Sequence, residues 1–318
     1  MSAEARDPAT KVQAQEAGWT DYWRKEGVGG EVFVGPQNQR NEQLAGFWLP
    51  ILDGLEAGTR VLDIACGAGS VFAALPANHG LLLHGSDVSG QALKLLKSRI
   101  EGVKVSQSSA TQLDYPDHSM EMVVSQFGLE YAGLDAFSEA GRVVASGGQF
   151  AFLCHCEGGY VDKRTSSQLI GAQAARSSQF AFKAAQLVRA MFALEPNTVK
   201  RMAAEFQKSE VTMRNTLAKH PEGIHAHLYH GFRKIYSNYK NYALADILKW
   251  LADVSAEVEM ATARLTQMQN AMLSESRMAE ALERLSNAGL SVNEPSSLQL
   301  DDHDAPLAWH LSGQRKAN

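Results

Sequence analysis

Short apolar runs alternate with helix-like segments between residues 61 and 156. The runs have the length and composition of strands, and the segments near 90–100 and 135–144 have helical character. The predicted strands are RVLDIA, LLLHGSD, VKVSQSS, MVVSQFG and QFAFLCHC. Strands that alternate with helices predict right-handed βαβ units and a parallel sheet covered on both faces. In such sheets a ligand binds beyond the carboxyl ends of the strands.

The pattern changes at about residue 161, where long helical periodicity replaces the strands and continues to about residue 287. Apolar or small residues recur there at steps of four and three, which predicts a long helix that packs on another helix. This seam consists of Ile247, Leu251, Val254, Val258, Ala261, Leu265, Met268 and Met272. Its candidate partner within the chain is a segment with Phe180, Ala184, Leu187 and Met191. Two interpretations stay open, a solvated helical hairpin that serves packing and a lid or dimer arm.

Residues 271–318 return to the first pattern, with a helix, a glycine stop and two closing strands. The closing strands complete a Rossmann-like, doubly wound, mostly parallel seven-stranded α/β sheet, with a large helical insertion after the fifth strand. The predicted segments are a partly helical cover at 1–50, a core at 51–160, the insertion at 161–270 and the end of the core at 271–318. We expect the cover to lie over the carboxyl edge of the sheet. It is rich in aromatic residues, namely Trp19, Tyr22, Trp23, Phe33, Phe47 and Trp48.

The composition indicates a globular protein with an uneven charge distribution. Hydrophobic residues make up 45% of the 318, and no apolar run reaches the roughly 18–20 residues of a membrane span. Residues 1–18 lack the apolar core of a signal peptide, so we expect a cytoplasmic protein. The formal net charge is −5, but residues 161–270 carry 15 Lys and Arg against 9 Asp and Glu. An excess of that size does not by itself argue for nucleic-acid binding.

Neither the cysteines nor the histidines indicate a metal site. Cys66 lies in a glycine-rich turn, and Cys154 and Cys156 lie in a predicted strand, so we expect three reduced, buried thiols. The segment HAHLYH at residues 225–230 is rich in histidine. Helical positions two apart point in different directions, and no acidic or cysteine cluster completes a ligand set. We therefore expect no metal.

The stretch VLDIACGAGS at residues 61–70 is the end of the first predicted strand and the turn after it. Gly67 and Gly69 follow the strand at once, which predicts positive φ angles or a close approach of the backbone. A dinucleotide fingerprint needs a third glycine, but Phe72 stands in its place, and the P-loop pattern is absent. The stretch therefore disfavours NAD and simple phosphate-cradling chemistry.

VLDIACGAG resembles motif I of the class I S-adenosylmethionine-dependent methyltransferases at every position. The resemblance continues with HGSDVS, which contains Asp87 at the end of the second predicted strand, and with SSATQLDYPDHSMEMVVSQFGLEY. It implies S-adenosylmethionine as the cofactor, with Asp63 near the amino group and Asp87 on the ribose hydroxyls. The residues implied for cofactor binding are Asp63, Ala65, Gly67, Gly69, Asp87, Val88, Ala110, Thr111 and Gln126. For Asp63 and Asp87 the alternative is a structural role at the end of a strand.

The chain departs from the family pattern in the adenine region. The family usually has Asp before Ala to meet the adenine amino group, whereas this chain has Ser109 before Ala110. Either the Ser109 hydroxyl or backbone groups of Ala110 and Thr111 take over that contact.

Methyl transfer is an in-line displacement that depends on positioning, desolvation and sometimes a general base, and it needs no metal. Gln126, Phe127, Glu130 and Tyr131 follow the fourth predicted strand, at the edge where we expect the transferring methyl, and His155 ends the fifth. Glu130 and His155 are the candidates for a catalytic base. A satisfied structural role is the alternative for each.

The function that these observations favour is a methyltransferase for a small-molecule or lipid-like acceptor, with the insertion and the N-terminal aromatic residues closing over it. An aromatic stripe in the insertion serves either as helix packing or as the wall of the acceptor pocket. It consists of Tyr229, Phe232, Tyr236 and Tyr239. The alternatives are an RNA or protein methyltransferase and a non-catalytic S-adenosylmethionine-binding module that regulates or assembles a partner. We expect no nucleic-acid partner, and the insertion offers a contact for a homodimer.

Overall fold

A computed structural model of the chain describes residues 19, 20, 23, 42–300 and 304–317. The chain forms two compact units: an α/β unit of Met1–Tyr160 with Ala271–Asn318, and a helical unit of Val161–Asn270. Much of the predicted N-terminal cover, including Tyr22 and Phe33, lies outside the described residues. Within the described part, no helix combines the length and the apolar character that a membrane span requires.

One mostly parallel sheet supports the α/β unit. Its strands are β1 (Arg60–Ile64), β2 (Leu82–Asp87), β3 (Lys104–Gln107), β4 (Met120–Gln126), β5 (Val144–His155), β6 (Leu290–Val292), β7 (Ser296–Leu298) and β8 (Ala308–Arg315). Seven of them lie in the order β3-β2-β1-β4-β5-β8-β6, with β1 to β5 parallel and β8 antiparallel to both neighbours. This order confirms the predicted doubly wound, mostly parallel sheet of seven strands.

The structure adds an eighth short strand, β7, which pairs only with β8. The sequence pattern suggests one strand where the structure has both β6 and β7. Pro295 lies between the two strands, and its nitrogen cannot donate a ladder hydrogen bond, so the strand is interrupted there.

The described residues include ten α-helices with defined bounds, besides two 3₁₀ turns at Phe72–Ala74 and Tyr239–Asn241. Those of the α/β unit are α1 (Glu42–Asp53), α2 (Gly90–Arg99), α3 (Leu129–Ala132), α4 (Asp135–Val143) and α10 (Glu275–Asn287). The chain between β5 and α10 forms α5 (Tyr160–Ser177), α6 (Phe180–Phe192), α7 (Pro196–Leu217), α8 (Ile224–Ser237) and α9 (Leu244–Ala271). These five helices agree with the predicted helical insertion after the fifth strand.

The strand order reverses between β1 and β4. The chain runs outward from β1 through β2 to β3 and then returns to β4 on the other side of β1. β1 and β4 are parallel, with Asp63 opposite Val124. Directly after these strands, Ala65 and Phe127 both have left-handed backbone conformations, with φ of 53° and 56°, so the chain turns sharply away at both ends. A crevice of this kind, at the carboxyl ends of diverging strands, is where such sheets bind ligands.

An apolar core holds the sheet beneath this crevice. Phe137 on α4 and Leu285 on α10 belong to the same core as Phe150 and Phe152 of β5, and all four are at most 1% exposed. Full burial of a large apolar side chain stabilises a fold by roughly 1.5–3 kcal/mol. The crevice is therefore built on well-packed strands.

A second apolar core holds the helical unit together. Four residues of the predicted seam on α9 are buried in it, namely Ile247, Leu251, Val254 and Val258. The predicted partner segment is α6, which contributes Phe180, Ala184 and Leu187 to the same core. The seam thus packs on helices of its own unit.

The aromatic and histidine residues of α8 also contribute to packing. Tyr229 and Phe232 lie in the helical core, which favours the packing interpretation of the aromatic stripe. His225 is fully buried, and its Nε2 donates to the carbonyl oxygen of His220 at 2.7 Å. Gly171 of α5 lies against the His225 ring, where a side chain would collide. No group of three metal-ligating side chains occurs in the described part of the chain.

Candidate active site

A cavity opens at the carboxyl ends of β1, β2 and β4. Seven residues implied by the resemblance line it, namely Asp63, Ala65, Gly67, Asp87, Val88, Ala110 and Gln126. The wall also contains Trp19, Trp23, Cys66, Ser70, Val71, Ser108, Ser109, Phe127, Gly128, Tyr131 and Ala132. Gly69 and Thr111 are not part of the wall. The sheet therefore brings together residues from four separate stretches of the sequence.

Asp63 is the most unusual residue of the cavity. Its side chain is almost completely buried, and neither carboxylate oxygen has a hydrogen-bond partner among the described residues. Burial raises the pKa of Asp63 well above its ordinary value, and the nearby charge of Asp87 raises it further. A buried carboxylate without partners is costly, and a cationic donor would remove much of that cost. The ammonium group of S-adenosylmethionine is such a donor, so Asp63 fits the cofactor.

Asp87 at the end of β2 has a different environment. Its Oδ2 accepts a hydrogen bond from the backbone N–H of Gly67 at 2.9 Å, and Oδ1 accepts one from Ser89 N–H at 2.8 Å. Burial raises the pKa of Asp87, while these two backbone hydrogen bonds act in the opposite direction. A carboxylate oxygen can accept more than one hydrogen bond. Asp87 can therefore hold the glycine-rich turn and still accept from two ribose hydroxyls.

The two glycines of the turn have separate roles. Gly67 has a φ of 51°, and a Cβ at this position would lie 2.5 Å from Cζ2 of Trp23. Gly69 has a φ of 87°, but a Cβ there would collide with Leu96 of α2. Only Gly67 lines the cavity. Gly69 permits close packing of the turn on α2, so we assign it an indirect contribution to the site.

The adenine region differs from the family pattern as the sequence indicates. Ser108, Ser109 and Ala110 line the cavity, and Thr111 does not. The hydroxyls of Ser109 and Thr111 lie 2.8 Å apart, and the Ser109 hydroxyl also accepts from Thr111 N–H at 3.3 Å. The Ser109 side chain is thus engaged with its own turn, which leaves Val88 and Ala110 as apolar wall.

The end of β4 supplies the opposite wall. Gln126, Phe127 and Tyr131 line it, and Gly128 lies so close to β1 that a Cβ there would be 2.5 Å from Cβ of Ala65. This close approach requires glycine. The Nε1–H of Trp48 donates to Oε1 of Gln126 at 2.6 Å.

Glu130 and His155 form a buried pair one layer behind this wall. Oε1 of Glu130 accepts from the backbone N–H of His155 at 2.9 Å and from its Nδ1–H at 2.8 Å. The His155 ring stacks on Phe127 with 4.3 Å between centroids, and it meets Tyr131 edge to face at 5.9 Å. Neither Glu130 nor His155 lines the cavity. The pair supports two aromatic residues that do.

Two tryptophans of the N-terminal segment close the cavity. Trp23 is 4% exposed and packs with Ala68 and Ala92. Trp19 meets Tyr131 edge to face, with 5.3 Å between ring centroids. The described part of the predicted cover therefore contacts the glycine-rich turn, the start of α2 and the segment after β4.

Several members of the site carry no individual signal in the sequence. Ser70 and Val71 directly follow the first matched motif and Ser108 begins the third matched segment, and that position is the available signal. Trp48 stood out only as one aromatic residue among several. Nothing in the local sequence pairs it with Gln126, which lies 78 positions away.

Comparison with known families agrees with this geometry. Residues 62–152 match the family model for a methyltransferase domain. The match bears out, over these residues, the methyltransferase domain and the S-adenosylmethionine cofactor expected from the sequence. No curated protein matches the chain.

Several solved structures resemble the chain at low identity. The YcgJ protein of Bacillus subtilis is 20% identical over 39% of this chain and 59% of its own length, with a TM-score of 0.35. A chain from the complex of the Haloferax volcanii Trm112 methyltransferase activator with a candidate methyltransferase is 14% identical over 99% of this chain and 100% of its own, with a TM-score of 0.43. Phosphoethanolamine N-methyltransferase 1 of Haemonchus contortus, solved with phosphoethanolamine and S-adenosylhomocysteine, is 16% identical over 48% of this chain and 34% of its own, with a TM-score of 0.39.

The chain thus spans less than two thirds of YcgJ and of the Haemonchus enzyme. The three TM-scores lie below 0.5, so these likenesses say nothing about the acceptor.

Proposed function

We propose that this chain, a class I S-adenosylmethionine-dependent methyltransferase, transfers a methyl group to a small-molecule or lipid-like acceptor. The observation that carries the proposal is the buried carboxylate of Asp63, whose oxygens have no partner among the described residues. Asp63 would hold the ammonium group of the cofactor, and Asp87 would hold its ribose hydroxyls. When it is bound, the cofactor supplies the methyl group on its sulfonium for transfer.

The walls of the cavity support the proposed acceptor class. Trp19, Trp23, Phe127 and Tyr131 give it aromatic surfaces, which suit an apolar or planar acceptor of modest size. Alignment of two reactants in one site can supply a large part of a rate enhancement. We therefore assign Phe127 and Tyr131 the task of orienting the acceptor.

Glu130 and His155 remain the proposed route for a proton leaving the acceptor. Because Nδ1 of His155 donates to Glu130, the free electron pair of the ring lies on Nε2. Glu130 would orient the imidazole through this hydrogen bond. Replacing His155 with Asn should lower the methyl-transfer rate and leave the affinity for the cofactor product unchanged. An unchanged rate would assign the pair to packing alone.

We assign the helical unit to acceptor recognition, as a lid or as a dimer arm. Its excess of basic side chains would attract an anionic acceptor group. Replacing residues 163–262 with a short Gly-Ser linker should spare cofactor binding and abolish methyl transfer, with circular dichroism as the check that the sheet still folds. Full turnover by the shortened protein would show that the helical unit is dispensable.

The decisive experiment has two steps. Calorimetry with S-adenosylmethionine and S-adenosylhomocysteine first tests binding, and we expect both to bind. The intact protein is then incubated with methyl-labelled S-adenosylmethionine and a cell extract, which is separated into small-molecule, lipid, RNA and protein fractions. We expect label in the small-molecule or lipid fraction. Label confined to RNA or protein would refute the proposed acceptor class, and binding without any transfer would indicate a non-catalytic module.

A further inference from the structure

The hydrogen bond between Trp48 and Gln126 fixes which end of the Gln126 side chain faces the cavity. An indole nitrogen can only donate a hydrogen bond, so the atom that it contacts at 2.6 Å must be the amide oxygen of Gln126. Trp48 is 1% exposed on α1, so its orientation is set by packing. The Gln126 amide nitrogen is therefore the free end. It makes no hydrogen bond within the described part of the chain.

The charges of the cavity show what this nitrogen would bind. The described wall contains two carboxylates, Asp63 and Asp87, and no lysine, arginine or histidine. A ligand with its own carboxylate would be repelled there unless neutral donors held that group. The two N–H bonds of a primary amide are suitable donors for a carboxylate.

The position of Gln126 completes a site for an amino acid. β1 and β4 are neighbouring parallel strands, and Val124, two residues before Gln126, pairs with Asp63. Asp63 and Gln126 therefore line the same cavity from adjacent strands, one as an acceptor for a cation and one as a donor to an anion. The ammonium and the carboxylate of an amino acid share one carbon atom, and so they present this pair of charges side by side.

We propose that Gln126 binds the carboxylate of the methionine part of S-adenosylmethionine and that Trp48 is the positioning residue of Gln126. This inference rests on the proposed cofactor. Asp63 binds the ammonium group of the same part. Trp48 acts only through Gln126, because its N–H prevents the amide from turning its oxygen toward the ligand.

The test compares two ligands that differ only at the amino-acid end. S-adenosylhomocysteine carries that end, and 5′-methylthioadenosine lacks it. Calorimetry gives the affinity of both for the intact protein, for Gln126→Glu and for Trp48→Phe. Glutamate still accepts from Trp48 but presents an oxygen to the ligand in place of the NH2 group. We expect Gln126→Glu to lower the affinity for S-adenosylhomocysteine about tenfold or more, because it removes a hydrogen bond to a charged group and adds a repulsion.

Trp48→Phe should lower the affinity for S-adenosylhomocysteine by about threefold to tenfold, since the Gln126 amide is no longer held in one orientation. Neither variant should change the affinity for 5′-methylthioadenosine by more than about twofold. In a Gln126→Met background, Trp48→Phe should cause no further loss of S-adenosylhomocysteine affinity, because the two residues act as one unit. If Trp48 had a merely structural role, Trp48→Phe would lower the affinity for both ligands. The loss would also occur in the Gln126→Met background.

Three outcomes would overturn the inference. They are equal losses for the two ligands, an unchanged affinity of Gln126→Glu for S-adenosylhomocysteine, and a loss in methyl transfer without a loss in S-adenosylhomocysteine binding. The last would place Gln126 on the acceptor. Failure of the proposed function is a separate result, in which the unaltered protein binds neither ligand.

Discussion

The α/β unit and the helical unit bury different kinds of side chain. The α/β unit buries the carboxylates of Asp63, Asp87 and Glu130, with exposures of 1%, 7% and 1%. In the helical unit the buried polar residues are Thr165, Ser209, His225 and Thr262, and no described carboxylate is among them. The contrast separates a unit that buries charge at a candidate ligand site from a unit whose buried core is almost entirely apolar.

The reason lies in the energetics of buried charge. Burying a carboxylate costs several kcal/mol of folding free energy unless hydrogen bonds or a counter-charge offset that cost. In the helical unit Glu210 is well supplied, since it contacts Tyr229 at 2.8 Å, Arg233 at 3.3 Å and Arg214 at 3.4 Å. Asp63 has no such partner in the described structure. A cationic ligand at Asp63 would offset that cost, so the contrast fits a cofactor site in the α/β unit.

Since the buried face of α9 packs in the core of the helical unit, a cavity in that core should lower stability. Leu251→Ala should lower the free energy of unfolding by about 2–5 kcal/mol, because it removes a buried side chain from the α9 seam. The matched control is Met260→Ala on the same helix, where a 44% exposed side chain should matter by no more than about 0.5 kcal/mol. Urea denaturation measures both. Unchanged stability of Leu251→Ala would contradict the assignment of the seam.

In the α/β unit, removing a carboxylate should affect binding more than folding. Asp87→Ala should weaken S-adenosylmethionine by roughly tenfold to more than a hundredfold, since it removes hydrogen bonds to a charged acceptor worth ~1.5–3 kcal/mol. Asp87 also holds Gly67 and Ser89, so Asp87→Asn is the companion variant that keeps one acceptor oxygen for the turn. Calorimetry and thermal unfolding separate the two roles. Full affinity in Asp87→Ala would remove Asp87 from the site.

Gly67 and Gly102 offer a matched comparison of one substitution inside the site and one outside it. Gly67 and Gly102 both have positive φ, and alanine there costs about 1–2 kcal/mol of backbone strain. A Cβ at Gly67 would strike Trp23, whereas nothing lies within 4 Å of one at Gly102. We expect Gly67→Ala to weaken S-adenosylhomocysteine about tenfold and Gly102→Ala to leave its affinity unchanged. Equal affinities in calorimetry would show that Trp23 does not close on the turn.

The raised pKa of Asp63 predicts that this residue destabilises the ligand-free protein. The folded state holds the Asp63 proton more tightly than the unfolded state, so stability falls as the pH rises from the ordinary carboxyl pKa toward the raised value. Asp63→Asn removes this effect and should stabilise the ligand-free protein by ~1 kcal/mol at neutral pH. The difference in thermal midpoint should shrink as the pH approaches 4. A less stable Asp63→Asn variant at neutral pH would mean that Asp63 has a partner in the folded protein.

Periodicity and motif determined much of this protein from the sequence alone. The apolar runs and their spacing specified a doubly wound, mostly parallel sheet, because local pattern and short right-handed connections leave few topologies. The same stretches placed Asp63, Gly67 and Asp87 at the carboxyl edge, since a residue at the end of a parallel strand can only lie there. The apolar steps of α9 likewise predicted its buried face.

Tertiary structure decided which side chains meet across that edge. Gly67 and Gly69 belong to the same motif, yet Gly69 packs on Leu96 of α2 and Gly67 lines the cavity. The position of α2 in the fold causes this difference. The contact of Trp48 with Gln126 spans 78 positions, and that of Glu130 with His155 spans 25. Each depends on the direction in which one element crosses another, and a local sequence pattern does not encode that direction. The residues proposed to hold the cofactor are therefore readable along the chain, whereas the contacts of Trp48 with Gln126 and of Glu130 with His155 became visible only when the strands and helices were packed.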